Sequence, residues 1–204
     1  GITSYKEVSN EYYYVDKTLL IRDIIDNHSK VYLFTRPRRF GKTLTMDMVR
    51  TFFEKTDTDT SIYFKDKYIW RAGAAYKGKQ GQYPVIFLTF KDAHQSTWQD
   101  MYASLCFTLR NEFLRHIELT TSARLSDYDK KYLKSILDDE ATIIDYQFAL
   151  GKLSAMLSKH YGRNVIVIID EYDTPIQQGH IFGYYDEVIG FMRNLLSAVL
   201  KDNP

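Results

Sequence analysis

The apolar run at residues 165–169, VIVII, restricts the fold more than any other feature of this chain. Five consecutive β-favouring side chains must point to both faces of any strand that they build. A strand that is apolar on both faces is stable where helices cover both sides of its sheet. Two more short apolar runs, at 31–35 and 85–90, predict strands of the same kind. We therefore expect an α/β fold, a three-layer sandwich with a mostly parallel central sheet.

Helical patterns lie before, between and after these runs. Apolar residues recur every three to four positions, which is typical of amphipathic helices. The predicted helices span residues 15–28, 42–54, 97–118, 126–139, 145–161 and 182–200. Residues 55–84 hold many Asp, Thr, Gly and Lys residues, and we expect irregular surface there with room for one short helix. A length of 204 residues predicts a single domain, 1–204, with a buried core.

Composition narrows the classes of function. The 27 basic and 26 acidic residues leave a net charge of +1, which gives no overall attraction to nucleic acid or to an anionic membrane. The single cysteine, Cys106, excludes an internal disulfide and a zinc site built on several cysteines, and its apolar helical face predicts a core residue. The sequence shows neither a signal peptide nor an apolar run of about 18 residues. We therefore expect a cytoplasmic protein with no membrane partner.

The segment RPRRFGKT, residues 36–43, lies between the predicted strand at 31–35 and the predicted helix at 42–54. This order fits the loop pattern G-x-x-x-x-G-K-[ST], in which main-chain N–H groups and a helix N-terminus hold phosphates. Gly41 would let the main chain approach the β-phosphate, Lys42 would reach the β- and γ-phosphates, and Thr43 would bind Mg²⁺. The candidate nucleotide-binding residues are Arg38, Arg39, Phe40, Gly41, Lys42, Thr43 and Leu44.

Arg36 stands where this loop normally begins with glycine. An arginine held at positive φ would cost about 1 kcal/mol or more, and Pro37 biases Arg36 toward an extended main chain. We therefore expect an extended entry to the loop that needs no glycine. The alternative is a chance Gly-Lys-Thr triplet in a solvated basic loop, and the triplet alone does not decide between the two.

Two acids, Asp170 and Glu171, directly follow the apolar run at 165–169. A magnesium-dependent nucleotide hydrolase needs one carboxylate at the end of a central strand to hold the ion, and a second to deprotonate the attacking water. Ligands bind at the carboxyl ends of parallel strands, so this pair should share one sheet edge with the loop. We assign Thr43 and Asp170 to Mg²⁺. Lys42 and Glu171 are the catalytic candidates, and the alternative for the two acids is a turn cap after a core strand.

Together these motifs resemble those of the predicted AAA-type ATPase family of bacteria, whose members carry an RPRRFGKT/S loop and an IDEYDxP strand end. Residues 13–18, YYVDKT, and 83–91, YPVIFLTFK, are similar to two further family segments, so the resemblance spans nearly the whole chain. The family normally has arginine at the position of Arg36. The resemblance implies ATP as the nucleotide and kinship with signal-transducing and archaeal-type P-loop ATPases.

The resemblance also implies contacts and partners. Many family members continue into a nuclease-like C-terminal domain of the PD-(D/E)xK class, and in related ATPases a neighbour's arginine can complete the site. The segment before the first strand packs against the base in related ATPases, which makes Tyr14, Val15 and Asp16 candidates for adenine contacts. A helix-entry role is an equal alternative for them. Asp173 is expected to cap a helix, with an acid turned toward Lys42 as the alternative.

In these ATPases a strand with a polar sensor follows the Asp-Glu strand and lies between the first and third strands. The sequence stops soon after the predicted helix at 182–200. We therefore expect a sheet truncated before the sensor strand, either in a fragment of a longer protein or in a chain completed by a partner. Turnover by this chain alone would then be weak or absent.

Three functions fit these residues. The first is a Mg²⁺-dependent ATPase that acts as a conformational switch. The second is a nucleic-acid-binding or nuclease-associated module in which the arginines of RPRRF contact backbone phosphates. The third is a P-loop kinase whose acceptor pocket would lie within residues 55–84. The expected partners are ATP, the nuclease-like domain, nucleic acid and a second copy of the chain.

Overall fold

The computed structural model describes residues 3–9, 14–27, 31–32 and 41–200. The chain divides into two compact units, Gly1–Val85 and Ile86–Pro204. Helices dominate both units, and a small parallel sheet completes the structure, so the predicted α/β class is confirmed.

The first unit is built from short helices. It contains α1 (Tyr5–Val8), α2 (Leu19–Asn27), α3 (Lys42–Phe53), a 3₁₀ turn (Thr60–Tyr63), α4 (Tyr68–Arg71) and α5 (Ala74–Lys77). The predicted helices at 15–28 and 42–54 are thus confirmed as α2 and α3. The segment 55–84, for which one short helix was expected, holds three short helical pieces instead.

An aromatic cluster packs α1 against α3 in the first unit. The ring of Tyr5 stacks on Phe64 with 5.1 Å between centroids, and Phe52 meets Phe64 edge-on at 5.1 Å. Met48 of α3 is also fully buried. The N–H of Tyr5 donates to Asp47 Oδ2 at 2.7 Å. Packing and this hydrogen bond therefore fix the middle of α3, the part of the helix that follows its first turn.

The second unit contains the sheet and the longer helices. Its elements are β1 (Val85–Thr89, which starts at the junction of the units), α6 (Trp98–Arg115), a 3₁₀ turn (Ile117–Thr121), α7 (Asp127–Leu137), α8 (Ile143–Gln147), α9 (Ala149–Tyr161), β2 (Ile166–Asp170), α10 (Thr174–Phe182) and α11 (Tyr185–Leu200). β1 and β2 pair in parallel. Both strands were predicted, whereas α10 was not.

The larger central sheet stays a prediction. Val31 and Tyr32 lie in no strand, and residues 33–35 of that predicted strand lie outside the described residues. Within the described ranges the sheet has two strands, β1 and β2. The α/β class is therefore shown, while the three-layer P-loop sandwich is a proposal.

Local capping residues explain where several helices of the second unit begin. At three helix starts a side-chain hydroxyl accepts a hydrogen bond from the N–H three residues further on. The capping residues are Thr97 (3.2 Å), Ser126 (3.1 Å) and Thr142 (3.3 Å). The predicted helix at 145–161 is interrupted at Phe148, which separates α8 from α9. The cap at Thr142 starts α8 earlier than the apolar period alone suggests.

Apolar side chains of α6 fill the core of the second unit. The buried side chains of this helix include Met101, Leu105, Leu109 and Phe113. The predicted helix at 97–118 includes Ile117, but this residue is 51% exposed, because α6 ends at Arg115 and Ile117 lies in the next turn. Burial raises the pKa of Cys106 to about 11, as befits a core thiol. None of the helices that the structure describes has both the length and the apolar character of a membrane span.

A buried polar network ties α6 to β1. The Glu112 carboxylate, 5% exposed, accepts hydrogen bonds from the Phe87 N–H at 2.9 Å and from the Arg115 guanidinium at 2.6 and 3.0 Å. His116 Nε2 lies 3.3 Å from the same carboxylate, and its Nδ1 lies 3.5 Å from Glu118. The Glu112 carboxylate needs cationic partners in this network, because a buried carboxylate without them is costly.

The residues of this network shift one another's pKa values toward the charged forms. Burial raises the pKa of Glu112 and of Glu118, but hydrogen bonds from His116 and neighbouring groups outweigh it, so both values are lowered, that of Glu118 to about 2. Burial lowers the pKa of His116, but hydrogen bonds to Glu112 and Glu118 outweigh it and the value is raised. The charged network therefore contributes its full stability between pH 4.5, the ordinary pKa of Glu, and pH 6.5, the ordinary pKa of His.

Replacing Glu112 by alanine is expected to lower the free energy of unfolding by about 3–5 kcal/mol, because it leaves the Phe87 N–H and two cations without their buried acceptor. Urea unfolding measures the change. The difference from the parent should be largest between pH 4.5 and 6.5 and should shrink outside that range, where Glu118 and Glu112 gain protons or His116 loses one. Glu140→Ala, at an exposed site, is the control, and an equal loss in both variants would contradict the assignment.

Candidate functional site

The start of α3 coincides with the end of the predicted phosphate loop. Gly41 precedes the helix with φ +73° and ψ +26°, in the left-handed region that favours glycine. The Gly41 carbonyl accepts hydrogen bonds from the Thr45 N–H at 2.9 Å and from the Thr45 hydroxyl at 2.8 Å. These bonds close the first turn of the helix. The left-handed main chain just before that turn is the reason that glycine suits position 41.

The first turn of α3 has the character of an anion site. The helix has 12 residues and no acidic residue in its own first turn, and the partial positive charge of its peptide dipoles lies at that turn. Lys42 and Thr43 occupy the first two helical positions, and both are half-buried. Main-chain N–H groups, an ammonium and a hydroxyl are the donors that a magnesium-bound triphosphate needs, so the residues present fit that group.

The described loop residues lie together at this turn: Gly41, Lys42, Thr43 and the half-buried Leu44. The other predicted nucleotide-binding residues lie outside the described residues, and the roles predicted for them stay predictions: Arg38, Arg39 and Phe40, with Arg36 at the loop entry.

The segment 14–18 makes structural contacts within the first unit. Asp16 Oδ1 accepts hydrogen bonds from the Thr18 N–H at 2.8 Å and the Thr18 hydroxyl at 2.7 Å, in the turn that leads into α2. The Tyr14 hydroxyl donates to Met48 Sδ at 3.4 Å, and burial raises the Tyr14 pKa to about 12. Val15 is 71% exposed. These contacts favour the helix-entry role for Asp16 over the adenine contact that was its alternative.

Asp170 closes β2 at the predicted edge of the sheet. Its side chain is buried, with 1% of the residue exposed, and its carbonyl accepts a hydrogen bond from the Phe90 N–H at 3.0 Å. The pairing with the segment after β1 thus extends to the last residue of β2. A carboxylate buried at a strand end is a suitable partner for a cation, because burial strengthens the attraction to a nearby positive charge.

Glu171 follows with a left-handed main chain, at φ +53°. This conformation costs a residue with a Cβ about 1 kcal/mol or more. It lies in a turn immediately after β2, in which the Thr174 N–H donates to the Glu171 carbonyl at 3.1 Å. The Thr174 hydroxyl also donates to Glu171 Oε2 at 3.4 Å. The half-buried Glu171 side chain is therefore positioned by a strained turn, a feature that concentrates at functional sites.

Asp173 stands at the N-terminus of α10, as the helix-capping prediction required, but its side chain does not make a cap hydrogen bond. It instead accepts a hydrogen bond from Gln177 Nε2 at 2.7 Å. Pro175 lies in the first turn of α10, where a missing N–H is harmless. Asp173 thus supports the start of α10 through a side-chain pair one turn further along the helix.

The two half-motifs belong to different compact units. Lys42 and Thr43 lie in Gly1–Val85, whereas Asp170 and Glu171 lie in Ile86–Pro204. Their convergence on one magnesium–triphosphate stays a prediction. Sequence analysis missed Lys17, a neighbour of Gly41 in the first unit, although its place inside the VDKT motif was a signal for it.

Comparisons with known proteins concern the chain as a whole. The model of a family described as "Predicted AAA-ATPase" matches residues 1–204. An uncharacterized protein in the vnfD 5' region of Azotobacter chroococcum mcd 1 is 25% identical over 179 residues, which cover 86% of this chain and 29% of that protein. The chain therefore spans less than a third of the length of that relative. No solved structure shows significant similarity to the chain.

Proposed function

Because the chain belongs to the predicted AAA-ATPase family, we propose that it is a P-loop domain that binds ATP with Mg²⁺ and hydrolyses it. The start of α3 carries the proposal, since a left-handed Gly41 leads into Lys42 and Thr43 in a first turn without acidic residues. Such a helix start directs main-chain N–H groups and positive field at a phosphate. One family match over both units supports treating 1–204 as one nucleotide-binding domain.

The loop side of the proposed site binds phosphate. Main-chain N–H groups at Gly41 and Lys42 donate to the β-phosphate, and the Lys42 ammonium spans the β- and γ-phosphates. Arg38 and Arg39 add positive charge to the same loop, next to Phe40 and ahead of Leu44 in the sequence. These groups hold the triphosphate in line for attack, which is the larger part of catalysis in phosphoryl transfer.

The strand side of the proposed site serves magnesium and water. The Thr43 hydroxyl and the Asp170 carboxylate would hold the ion, Asp170 through a water. Magnesium, when bound, would neutralise negative charge on the triphosphate. Thr174 holds Glu171 Oε2, and we assign Glu171 Oε1 to the attacking water. The water's proton passes to this carboxylate as the water oxygen bonds to the γ-phosphorus, while the bond from that phosphorus to the β–γ bridging oxygen breaks and ADP leaves.

In the whole protein, the proposed cycle serves as a conformational switch. The curated relative is more than three times as long as the part that this chain matches. A nuclease-like C-terminal domain is the partner that the family resemblance implies, and nucleic acid and a second copy of the chain are further proposed partners. ATP binding at the start of α3 would bias the arrangement of such domains only if the two arrangements differ in ATP affinity.

Calorimetric titration of the chain with ATP tests the proposal. We expect one site with a dissociation constant of about 1 μM to 1 mM in the presence of Mg²⁺, the range in which enzymes commonly hold such substrates. Removing Mg²⁺ with EDTA should weaken the binding markedly, because Thr43 and Asp170 then lose the ion through which they act. Protein that unfolds cooperatively yet binds no ATP in either condition would contradict the proposal.

The same protein separates the proposed ATPase from its alternatives. DNA binding that weakens steeply with salt and does not respond to ATP would favour a nucleic-acid-binding module. A phosphorylated acceptor that appears together with ADP would favour a P-loop kinase. Release of inorganic phosphate at the rate of ADP formation indicates attack by water, the outcome that we expect.

A further inference from the structure

The VDKT segment is anchored on both sides of Lys17. Before Lys17, Asp16 accepts hydrogen bonds from the Thr18 N–H and hydroxyl with one oxygen and from the Tyr68 N–H, at 2.7 Å, with the other. Both oxygens of this carboxylate are therefore used inside the first unit, one in the turn before α2 and one at the start of α4.

After Lys17, Thr18 is fully buried, and its hydroxyl oxygen accepts a hydrogen bond from the Ile69 N–H at 3.1 Å. The Leu20 N–H donates to the Lys17 carbonyl at 3.1 Å. The main chain of Lys17 is thus held by contacts on each side and by its own carbonyl. Its side chain is exposed, so the anchors restrict where this side chain starts without burying it.

The Lys17 ammonium lies beside the phosphate loop. A Cβ built on Gly41 would stand 3.8 Å from Lys17 Nζ. Gly41 is the residue whose left-handed main chain leads into Lys42 and the first turn of α3. The first unit therefore brings the Lys17 ammonium to the residue that precedes Lys42, and the first turn of α3 contains no acidic residue of its own.

The Lys17 ammonium is therefore a cation at the start of α3, where the partial positive charge of the helix also favours an anion. In the part of the chain that the structure describes, no carboxylate forms an ion pair with Lys17. We propose that Lys17 is a second phosphate-binding cation, which contacts the β-phosphate of ATP or ADP bound at Gly41. This inference rests on the proposed function, because it assigns a contact within the same nucleotide site.

Replacing Lys17 by methionine tests the contact, because methionine keeps an unbranched side chain and removes the charge. A hydrogen bond to a charged group is worth about 1.5–3 kcal/mol, so the dissociation constants of both ATP and ADP should rise about tenfold or more in calorimetry with Mg²⁺. Lys17→Arg, which keeps a cation, should recover most of the affinity. Lys65→Met removes an exposed lysine of the same unit and should bind like the parent.

A second measurement needs no variant. An amine-acetylating reagent should modify Lys17 in the parent chain, and saturating Mg²⁺–ATP should reduce that modification severalfold while Lys65 stays equally reactive. Mass spectrometry of the digested protein reads both positions in one sample. Equal labelling of Lys17 with and without ATP, under conditions where calorimetry shows the site to be filled, would overturn the inference.

The failure of this inference is distinguishable from the failure of the proposed function. If the parent chain binds no ATP, the proposed function fails. If the parent binds ATP and Lys42→Ala does not, but Lys17→Met binds ATP and ADP like the parent, only the role of Lys17 is wrong. A loss for ATP with none for ADP would also overturn the assignment, because it would place the contact at the γ-phosphate.

Discussion

Replacing Lys42 by alanine abolishes ATP binding in calorimetry, as the largest effect that we expect of any single substitution. The ammonium is the flexible cation that meets the β- and γ-phosphates, and its loss removes charge-assisted hydrogen bonds to both. Two such bonds correspond to a loss in affinity of roughly 100-fold or more. Lys42 is the first residue of α3, so the substitution leaves the preceding turn at Gly41 in place.

Thermal unfolding checks that the Lys42→Ala variant is folded. Within the helix the substitution is favourable, because a cation in the first turn opposes the helix dipole by about 0.3–1 kcal/mol and alanine is the best helix former. Lys65→Ala is the matched control for a lost lysine and should keep full affinity. ATP binding by Lys42→Ala at the parent's affinity would refute the site assignment.

In a form of the protein that turns over ATP, this chain or a longer one, the Glu171→Gln variant is expected to bind ATP like the parent and to lose turnover by about 10²–10⁴-fold. The amide keeps the size of the side chain and can still accept a hydrogen bond from the Thr174 hydroxyl, but it cannot take a proton from water. Measuring phosphate release at saturating ATP, together with calorimetry, separates the two effects. Equal turnover in the parent and in Glu171→Gln would remove Glu171 from the mechanism.

A second pair of variants tests whether Glu171 is held in a strained conformation for function. Glycine is comfortable at φ +53°, whereas alanine bears the same main-chain strain as glutamate. In urea unfolding, Glu171→Gly should therefore be at least as stable as Glu171→Ala and is expected to exceed it by about 1 kcal/mol. Both variants lack the carboxylate and should lose turnover. A glycine variant clearly less stable than the alanine variant would show that the turn is not left-handed in solution.

Much of the fold follows from short-range patterns. The apolar runs at 85–90 and 165–169 predicted β1 and β2, and the three-to-four periodicity predicted α2, α3, α6, α7, α9 and α11 with ends a few residues off. The errors are instructive. Three short helical pieces within 55–84 were missed because contacts from elsewhere hold them, as Asp16 and Thr18 do for the start of α4. Ile117 fits the apolar spacing of α6, but the helix ends at Arg115, before Ile117 is reached.

The candidate site was predicted from residues that are neighbours in sequence, and their roles stay predictions. Gly41, Lys42 and Thr43 are adjacent at a helix start, and Asp170 and Glu171 are adjacent at a strand end. The family match over residues 1–204 supports an ATPase at the level of the family and does not test these residues. The pairing of the two half-motifs across more than a hundred residues is a long-range property, and it stays a prediction.

The sequence by itself determined the local elements of this protein: where apolar periodicity begins and ends, which residues cap helices, and which motif precedes α3. Only the tertiary structure decided that Lys17 lies beside Gly41, that Glu112 accepts from the Phe87 N–H, and that Glu171 has a left-handed main chain. The physical reason is that these features depend on burial and packing between segments far apart in the chain, whose outcome no short window of sequence contains.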